Sequence, residues 1–271
     1  MPGETLRVIS SNTYRNRALN NPASLEQLLP DDDTPTIVAF QEVAHRHDQA
    51  EALIRQRGYQ PILLASHGLA LAMSPDLEVR DMQTLTYQGG RTSRKYGLQV
   101  VRTAVGDHEV LLGNGHVPVF SSPRWQAVAR QDALAFGRLA IENTNSVIIS
   151  TGDRNFVRQR QAQQYRQLQK AWGAQALLPE NEPTYIVGAG KHRWMGWLRL
   201  LSNLQLDGID IRIPDDTKLV NGSVDTEQQY GYEIETFCVA SDHLAVQALL
   251  QFPAATLPTG PGDKVTSQEP G

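Results

Sequence analysis

Two polar residues close together, Asp153 and Asn155, carry side chains that can act on water and on an anion. The carboxylate of Asp153 can take a proton from water or bind a cation, and the carboxamide of Asn155 can donate to a phosphate oxygen. They follow an apolar run, residues 147–150, which predicts a buried strand that ends at Gly152, where the backbone can turn tightly. Proteins of the α/β class tend to place chemistry at such strand ends. Asp and Asn after Gly are also common turn residues, so this stretch alone leaves a turn and a site open.

Further polar groups stand directly beyond apolar runs that resemble strands. They are Asn12, the pair Gln41 and Glu42, the triplet 114–116 that ends at His116, and the triplet 241–243 that contains Asp242 and His243. A further acid, Asp210, lies within or at the end of another predicted strand. Each has an ordinary explanation as a helix cap, an ion-pair partner or a loop residue. Their common position favours a site, because strands that lie side by side bring their ends together.

This set of side chains is rich in oxygen. Asn, Glu and Asp oxygens suit Mg²⁺, Mn²⁺ or Ca²⁺ rather than zinc. His116 and His243 can donate to a phosphate and to the negative charge that develops on it, and a carboxylate beside His243 can keep that ring protonated. Together the residues are suited to metal-assisted hydrolysis of a phosphate ester.

The elements that must position these groups are many short strands and few helices. Strands are predicted at residues 6–10, 36–40, 59–64, 69–73, 77–85, 97–105, 109–113, 147–150, 209–213, 236–239 and 244–250. Helices are predicted at residues 23–29, 47–57, 124–141 and 157–172. This pattern does not suit a doubly wound parallel sheet, and it predicts two packed sheets with helices outside them.

Composition limits the class of protein. The chain has 271 residues, is 40% hydrophobic and carries a net charge of −4, so it can bury a core but cannot coat nucleic acid by bulk charge. The one cysteine, Cys238, excludes an internal disulfide and a cysteine-based metal cluster, and its apolar neighbours predict a buried thiol. We expect a cytoplasmic protein with no membrane partner, because neither a signal peptide nor a membrane-spanning run is present. A single domain is predicted over residues 1–252, followed by a disordered Pro/Gly-rich tail over residues 253–271.

The order of the motifs resembles the endonuclease/exonuclease/phosphatase superfamily. That superfamily includes deoxyribonuclease I-like nucleases, apurinic endonucleases, inositol polyphosphate 5-phosphatases and neutral sphingomyelinases. The motifs are, in chain order, LRVISSN ending at Asn12, IVAFQE ending at Glu42, NGH ending at His116, GDRN at residues 152–155, PTY at residues 183–185, GID ending at Asp210 and SDH ending at His243. The resemblance covers about residues 5–250.

The resemblance implies a fold and a metal site. The fold is a four-layer α/β sandwich with two packed mixed β-sheets flanked by helices. Glu42 is expected to be the principal ligand of Mg²⁺ or Mn²⁺, and Asn12 and Asp242 are expected to complete or support that site.

The resemblance also implies roles in catalysis. Asp153 is expected to position or activate the attacking water, and Asn155 to hold the nucleophile or a phosphate oxygen. His243 is expected to contact the scissile phosphate and to be oriented by Asp210, with His116 as the second histidine that faces the phosphate.

Two positions leave alternatives open. Arg154 stands where the family motif has an aromatic or apolar residue, which would alter the packing beneath the site or add a contact to phosphate. Asp207 is a second candidate for the partner of His243, and Asp210 is preferred because the apolar strand pattern of residues 211–213 follows it.

Three basic clusters could face a polyanionic substrate. They are residues 91–96 with Arg94 and Lys95, residues 154–170 beginning at Arg154, and residues 191–199 with Arg193 and Trp194. Basic side chains neutralise backbone phosphates, and indole rings stack on bases. We therefore expect an endonuclease that acts on DNA or RNA. A phosphatase or phosphodiesterase for a small or lipid-derived phosphoester would use the same site, and a non-catalytic binding protein on the same fold is the third alternative.

Overall fold

The computed structural model describes residues 4–13, 15–43, 47–87, 96–117, 122–155, 159–177, 184, 207–215, 217–222, 229–241 and 243–254. The strands in these ranges are β1 (Thr5–Asn12), β2 (Thr36–Gln41), β3 (Gln60–Leu64), β4 (Leu69–Met73), β5 (Asp81–Thr86), β6 (Gly97–Val105), β7 (His108–His116), β8 (Val147–Asp153), β9 (Gln175–Ala176), β10 (Asp207–Arg212), β11 (Lys218–Asn221), β12 (Gln229–Cys238) and β13 (Leu244–Gln251). The helices are α1 (Pro22–Leu28), α2 (His47–Gln56), α3 (Ser122–Glu142) and α4 (Gln159–Lys170).

The strands form two mixed sheets that share an apolar core. The seven-stranded sheet has the order β11-β12-β13-β1-β2-β4-β3, and the six-stranded sheet has the order β5-β6-β7-β8-β10-β9. The core between them contains Leu6 and Ile37 from the first sheet and Val101 and Ile149 from the second. Burial of these side chains from both sheets in one cluster holds the sheets face to face.

Helices cover the outer face of each sheet. Leu28 of α1 and Ile54 of α2 pack in a cluster on the outer face of the seven-stranded sheet. Phe136 of α3 and Tyr165 of α4 pack on the outer face of the six-stranded sheet. The predicted four-layer α/β sandwich is therefore confirmed.

Burial on both faces explains the sequence of the central strands. In β1, Val8 belongs to the core between the sheets, and its neighbour Ile9 belongs to the cluster under the helices. Successive residues of a strand point to opposite faces, so a strand covered on both sides is apolar throughout. The same alternation places Ile148 and Ile149 of β8 in different clusters.

The topology brings polar residues to one end of both sheets. β7 and β8 run parallel, with His116 aligned with Asp153. β10 runs antiparallel to β8, so its first residue, Asp207, is also aligned with Asp153. In the other sheet β13 runs antiparallel to β1, so Asn12 at the end of β1 and His243 before β13 lie at one edge.

Most predicted elements are present, and the predicted bounds of β4 and β6 coincide with the observed ones. The prediction missed β9 and β11, because short strands at a sheet edge carry little apolar pattern. The predicted strand 77–85 begins only at Asp81, because Leu77 belongs to a turn in which its N–H donates to the carbonyl of Ser74 at 3.1 Å.

Cys238 is exposed, so the prediction of a buried thiol is wrong. It is the last residue of β12, and β11 pairs only with the first part of that strand, residues 229–232. Within the described ranges the Cys238 end of β12 is therefore a sheet edge, and the apolar neighbours of the thiol in sequence do not cover it.

The described helices include none that is long and apolar enough to cross a membrane.

Candidate active site

A short contact between a histidine and a carboxylate forms one side of the site. Nδ1 of His243 lies 2.6 Å from Oδ2 of Asp207, and the two side chains are 8% and 0% exposed. A carboxylate in this position favours the protonated ring and fixes its orientation. The prediction that Asp210 orients His243 is wrong, because an odd spacing along a strand places Asp207 and Asp210 on opposite faces of the sheet.

Asp153 joins the ends of three strands from both sheets. Its Oδ2 accepts a hydrogen bond from Nδ2 of Asn12 at 2.8 Å and lies 3.6 Å from Nε2 of His116. Its Oδ1 accepts from the backbone N–H of Asn155 at 2.9 Å. These contacts hold one buried carboxylate between a carboxamide from the first sheet and a histidine from the second.

Several charged groups crowd around Asp153, and a cation would relieve their repulsion. Burial raises the pKa of Asp153 to about 7, His243 opposes the shift, and the carboxylates of Asp207 and Glu42 add to it. Ligand atoms of Asp153, Asp207 and His243 all lie within 4.8 Å of one another. Carboxylate and carboxamide oxygens are the donors that Mg²⁺ and Mn²⁺ prefer. The described group of side chains that could hold such an ion is therefore Asp153, Asp207 and His243, and the assignment of Glu42 and Asn12 as its ligands stays a prediction.

Two site residues are held in the left-handed backbone conformation. The φ angles are 56° at Glu42 and 49° at Asn155. Such conformations cost non-glycine residues about 1–3 kcal/mol, and they persist where the surroundings fix them. The N–H of Val43 donates to the carbonyl of Gly68 at 3.0 Å, and Nδ2 of Asn155 donates to the carbonyl of Val117 at 2.8 Å. These bonds fix the turns that carry Glu42 and Asn155.

Thr184 and Ser241 brace the histidine side of the site, although the sequence assigned neither a role. The N–H of Asp207 donates to Oγ1 of Thr184 at 2.9 Å. Oγ of Ser241 donates to the carbonyl of Asn12 at 2.7 Å and accepts from the N–H of His243 at 3.2 Å. Both residues belong to motifs that carry the family resemblance, so the motifs marked their positions but not their contacts.

A buried amide pair fastens the two sheets together beneath the site. Nε2 of Gln41 donates to Oδ1 of Asn114 at 2.8 Å. Nδ2 of Asn114 in turn donates to two backbone carbonyls of the opposite sheet, at 3.1 and 3.0 Å. Gln41 precedes Glu42 and Asn114 stands two residues before His116, so this pair sets the two site residues relative to each other.

Comparisons with solved structures identify the architecture. No protein-family model matches the chain, and no curated protein matches it at a significant level. TDP2 from D. rerio, complexed with a single strand DNA product, aligns with a TM-score of 0.69 and 12% identity over 91% of this chain and 99% of its own. An endonuclease/exonuclease/phosphatase family protein from Bacteroides thetaiotaomicron aligns with a TM-score of 0.63 and 15% identity over 93% and 99%. This chain has the endonuclease/exonuclease/phosphatase fold. A beta toxin from Staphylococcus aureus shares it, with a TM-score of 0.64 and 12% identity over 90% and 99% of the two chains.

Within this endonuclease/exonuclease/phosphatase fold, Arg154 packs behind the site. Its side chain is 8% exposed, and Nη2 lies 2.6 Å from Oδ2 of Asp210. Because Arg154 alternates with Asp153 and Asn155 at the strand end, its side chain leaves the opposite face. The predicted phosphate contact of Arg154 is therefore wrong, and the residue alters the packing beneath the site instead.

Five predicted residues of the site and its surroundings lie outside the described residues. They are Asp242, Arg94, Lys95, Arg193 and Trp194. Their assignments as a metal ligand and as substrate contacts stay predictions.

Proposed function

We propose that this chain is a divalent-metal-dependent phosphodiester hydrolase, and specifically an endonuclease that cleaves DNA or RNA by in-line attack of an activated water. One observation carries the proposal. Asp153 contacts Asn12 and His116 and faces the Asp207–His243 pair, at the end of both sheets where these strands meet. A buried carboxylate that can accept a proton, placed among histidines that can donate one, suits hydrolysis of an ester at phosphorus.

Each side chain has a part in this reaction. Asp153 orients the attacking water and accepts its proton, and the turn that carries Asn155 holds a carboxamide beside it. His243, oriented by the adjacent Asp207 carboxylate that favours its protonated form, donates to a phosphate oxygen, and His116 donates to a second one. A divalent ion held by Glu42 and Asn12, with Asp242 as a further ligand, would neutralise negative charge that develops on the phosphate.

Two exposed arginines beside the site support a polyanionic substrate. Arg15 and Arg17 lie in the turn that follows Asn12. Thr13 ties this turn to the end of β2, because its N–H and Oγ1 both donate to the carbonyl of Gln41, at 2.9 and 3.0 Å. Arg15 has a φ of 58°, so the backbone of this turn lies in the left-handed region that non-glycine residues seldom occupy. Exposed guanidinium groups carried by this turn would favour a substrate with several phosphates over a small monoester.

The test is cleavage of supercoiled plasmid and of single-stranded DNA by the purified protein. We expect nicking that requires Mg²⁺ or Mn²⁺, stops in EDTA and falls about 100-fold or more in His243→Ala. The matched control is Asp215→Asn, which removes a charge from a side chain that is 80% exposed just beyond β10. It should nick at the rate of the unmodified protein.

Other outcomes change the proposal in defined ways. Undiminished cleavage in His243→Ala would contradict the assigned site. Release of phosphate only from inositol phosphates, nucleotides or phospholipids would keep the site and replace the nuclease with an enzyme for small or lipid-derived phosphoesters. A folded protein that hydrolyses no phosphoester would be a binding protein on this fold.

A further inference from the structure

A buried ion pair lies directly behind the turn that carries Asp153 and Asn155. Arg154, between them, lies 2.6 Å from Asp210, and the two side chains are 8% and 3% exposed. Removing two charges from water is costly, so a buried pair is retained only where geometry and hydrogen bonds compensate. The neighbourhood of the Arg154 guanidinium shows how this is achieved.

The β8–β10 ladder has a space shaped for this guanidinium. Gly208 stands where any Cβ would come within 2.8 Å of Nη1 of Arg154. Nη2 also donates to the backbone carbonyl of Ser150 at 3.2 Å, and Ser150 is the ladder partner of Asp210. The side chain of Arg154 therefore folds back over its own strand and fastens the strand end to β10.

The pair extends into a polar network under the two outer helices. The ring of Tyr165 on α4 lies under the guanidinium, with Cζ of Arg154 5.0 Å from the ring centroid. The hydroxyl of Tyr165 donates to Asp132 of α3 at 3.0 Å, and the hydroxyl of Tyr87 donates to the same carboxylate at 2.6 Å. Burial raises the pKa of Asp132, and both tyrosine hydroxyls oppose that shift. Arg154 thus contacts α4 as well as β10, and Tyr165 links it to Asp132 of α3.

The turn in front of this network has an uncommon backbone conformation. Asn155 adopts a φ of 49°, in the left-handed region, and contacts on both sides of the turn hold it there. On the substrate side, the turn is held by the bond from the N–H of Asn155 to Asp153. On the buried side, Arg154 is the residue of the turn that reaches β10.

We propose that Arg154 and Asp210 form a positioning unit, which holds the 153–155 turn so that Asp153 and Asn155 face the substrate. The catalytic consequence rests on the proposed function, but the conformational consequence does not. Arg154 and Asp210 are positioning residues and not catalytic ones, because they lie on the face of the sheet away from Asp207 and His243.

The test is the double variant Arg154→Met/Asp210→Leu. Replacing both members of a buried pair with apolar side chains is often neutral for stability, so the fold should be kept. The kcat for hydrolysis of bis(p-nitrophenyl) phosphate should then fall on the order of 100-fold with little change in KM. The reason is that the variant displaces the catalytic turn but leaves the affinity for substrate unaltered. Hydrogen exchange of the Asn155 N–H, followed by NMR, should become about tenfold faster or more.

The matched control is another ion pair of the same sheet, Arg102 and Glu109, whose charged atoms are also 2.6 Å apart. It lies near the opposite end of β7 from His116, so Arg102→Met/Glu109→Leu should leave kcat and the exchange of Asn155 unchanged. If the first double variant unfolds, Arg154→Lys replaces it. Lysine keeps the charge but lacks the planar guanidinium that bonds Asp210 and the Ser150 carbonyl together. The kcat should therefore still fall, and the Asn155 N–H should still exchange faster.

The outcomes separate this inference from the proposed function. A stable variant that retains the kcat and the Asn155 exchange of the unmodified protein would overturn the inference. If the unmodified protein hydrolyses no phosphoester, the proposed function fails, and the exchange of the Asn155 N–H alone decides the inference. Faster exchange in the variant, with unchanged exchange in the control, supports it in either case.

Discussion

Asp207 and Asp210 belong to the same strand but contact partners on opposite faces of the sheet. Asp207 lies 2.6 Å from His243 on the face toward the other sheet, and Asp210 lies 2.6 Å from Arg154 on the face toward α4. A single strand thus supplies one carboxylate to the proposed site and another to the packing behind it. The two acids should respond differently to substitution.

Replacing Asp207 with Asn should reduce the rate of plasmid nicking by about 10²–10⁴-fold. The amide cannot stabilise a cationic His243 ring, although it keeps the size of the side chain. The rate is compared with that of Asp215→Asn, which alters an exposed acid nearby. An unchanged rate in Asp207→Asn would remove this residue from the proposed mechanism.

Replacing Asp153 with Asn should stabilise the metal-free protein at alkaline pH while it abolishes nicking. The folded pKa of Asp153 is about 7, above its ordinary value of 3.8, because burial disfavours the charged form. The stability that the protonated group contributes is therefore present below about pH 4 and is lost as the pH rises through 7. Each unit of pKa difference corresponds to about 1.4 kcal/mol.

Urea unfolding in EDTA at pH 5 and pH 8 measures this effect. The free energy of unfolding should fall between the two pH values in the unmodified protein and should fall less in Asp153→Asn. An equal fall in the free energy of unfolding of the two proteins would show that Asp153 is already ionised at pH 5.

Replacing Glu42 with Gln should abolish stabilisation by Mg²⁺ or Mn²⁺. An ion that binds only the folded state raises its stability by about RT ln(1 + [L]/Kd), and we expect a higher melting temperature with either ion in the unmodified protein. Glu51→Gln is the control, because that carboxylate belongs to an exposed pair with Arg55 on α2. An equal rise in melting temperature in the unmodified protein, Glu42→Gln and Glu51→Gln would show that the ion binds away from Glu42.

Replacing Arg15 with Ala should weaken single-stranded DNA cleavage through KM and leave bis(p-nitrophenyl) phosphate hydrolysis unchanged. If Arg15 contacts one phosphate, the slope of log KM against log salt concentration should fall by about 0.7. Arg55→Ala, on the exposed surface of α2, should keep the full slope. Equal slopes in both variants would place the substrate away from the turn after Asn12.

The sequence was sufficient for most of the fold. Residues 36–40 and 147–150 are apolar because helices cover one face of each strand and the opposite sheet covers the other. The short strand β11 could not be predicted, because its side chains are exposed or half-buried at an edge and pack against little.

The sequence could locate the site residues that stand at strand ends, but it could not show which side chains they contact in the folded protein. Asn12 and His116 could be assigned because each follows or ends an apolar run. The partner of His243 depends on which face of β10 each residue occupies, and an apolar pattern from Ile209 onward does not show that the strand begins at Asp207. The burial of Arg154 depends on residues far along the chain, so no local pattern could show it.

The order of the strands has a consequence for synthesis. β13, near the end of the described chain, lies between β12 and β1, so the seven-stranded sheet has a gap at its centre until β13 is made. His243 is also absent until then. Domains generally fold as units, so the complete sheet and the Asp207–His243 pair can form only once β13 has joined the chain between β12 and β1. Assembly of the proposed site is thereby tied to closure of the sheet.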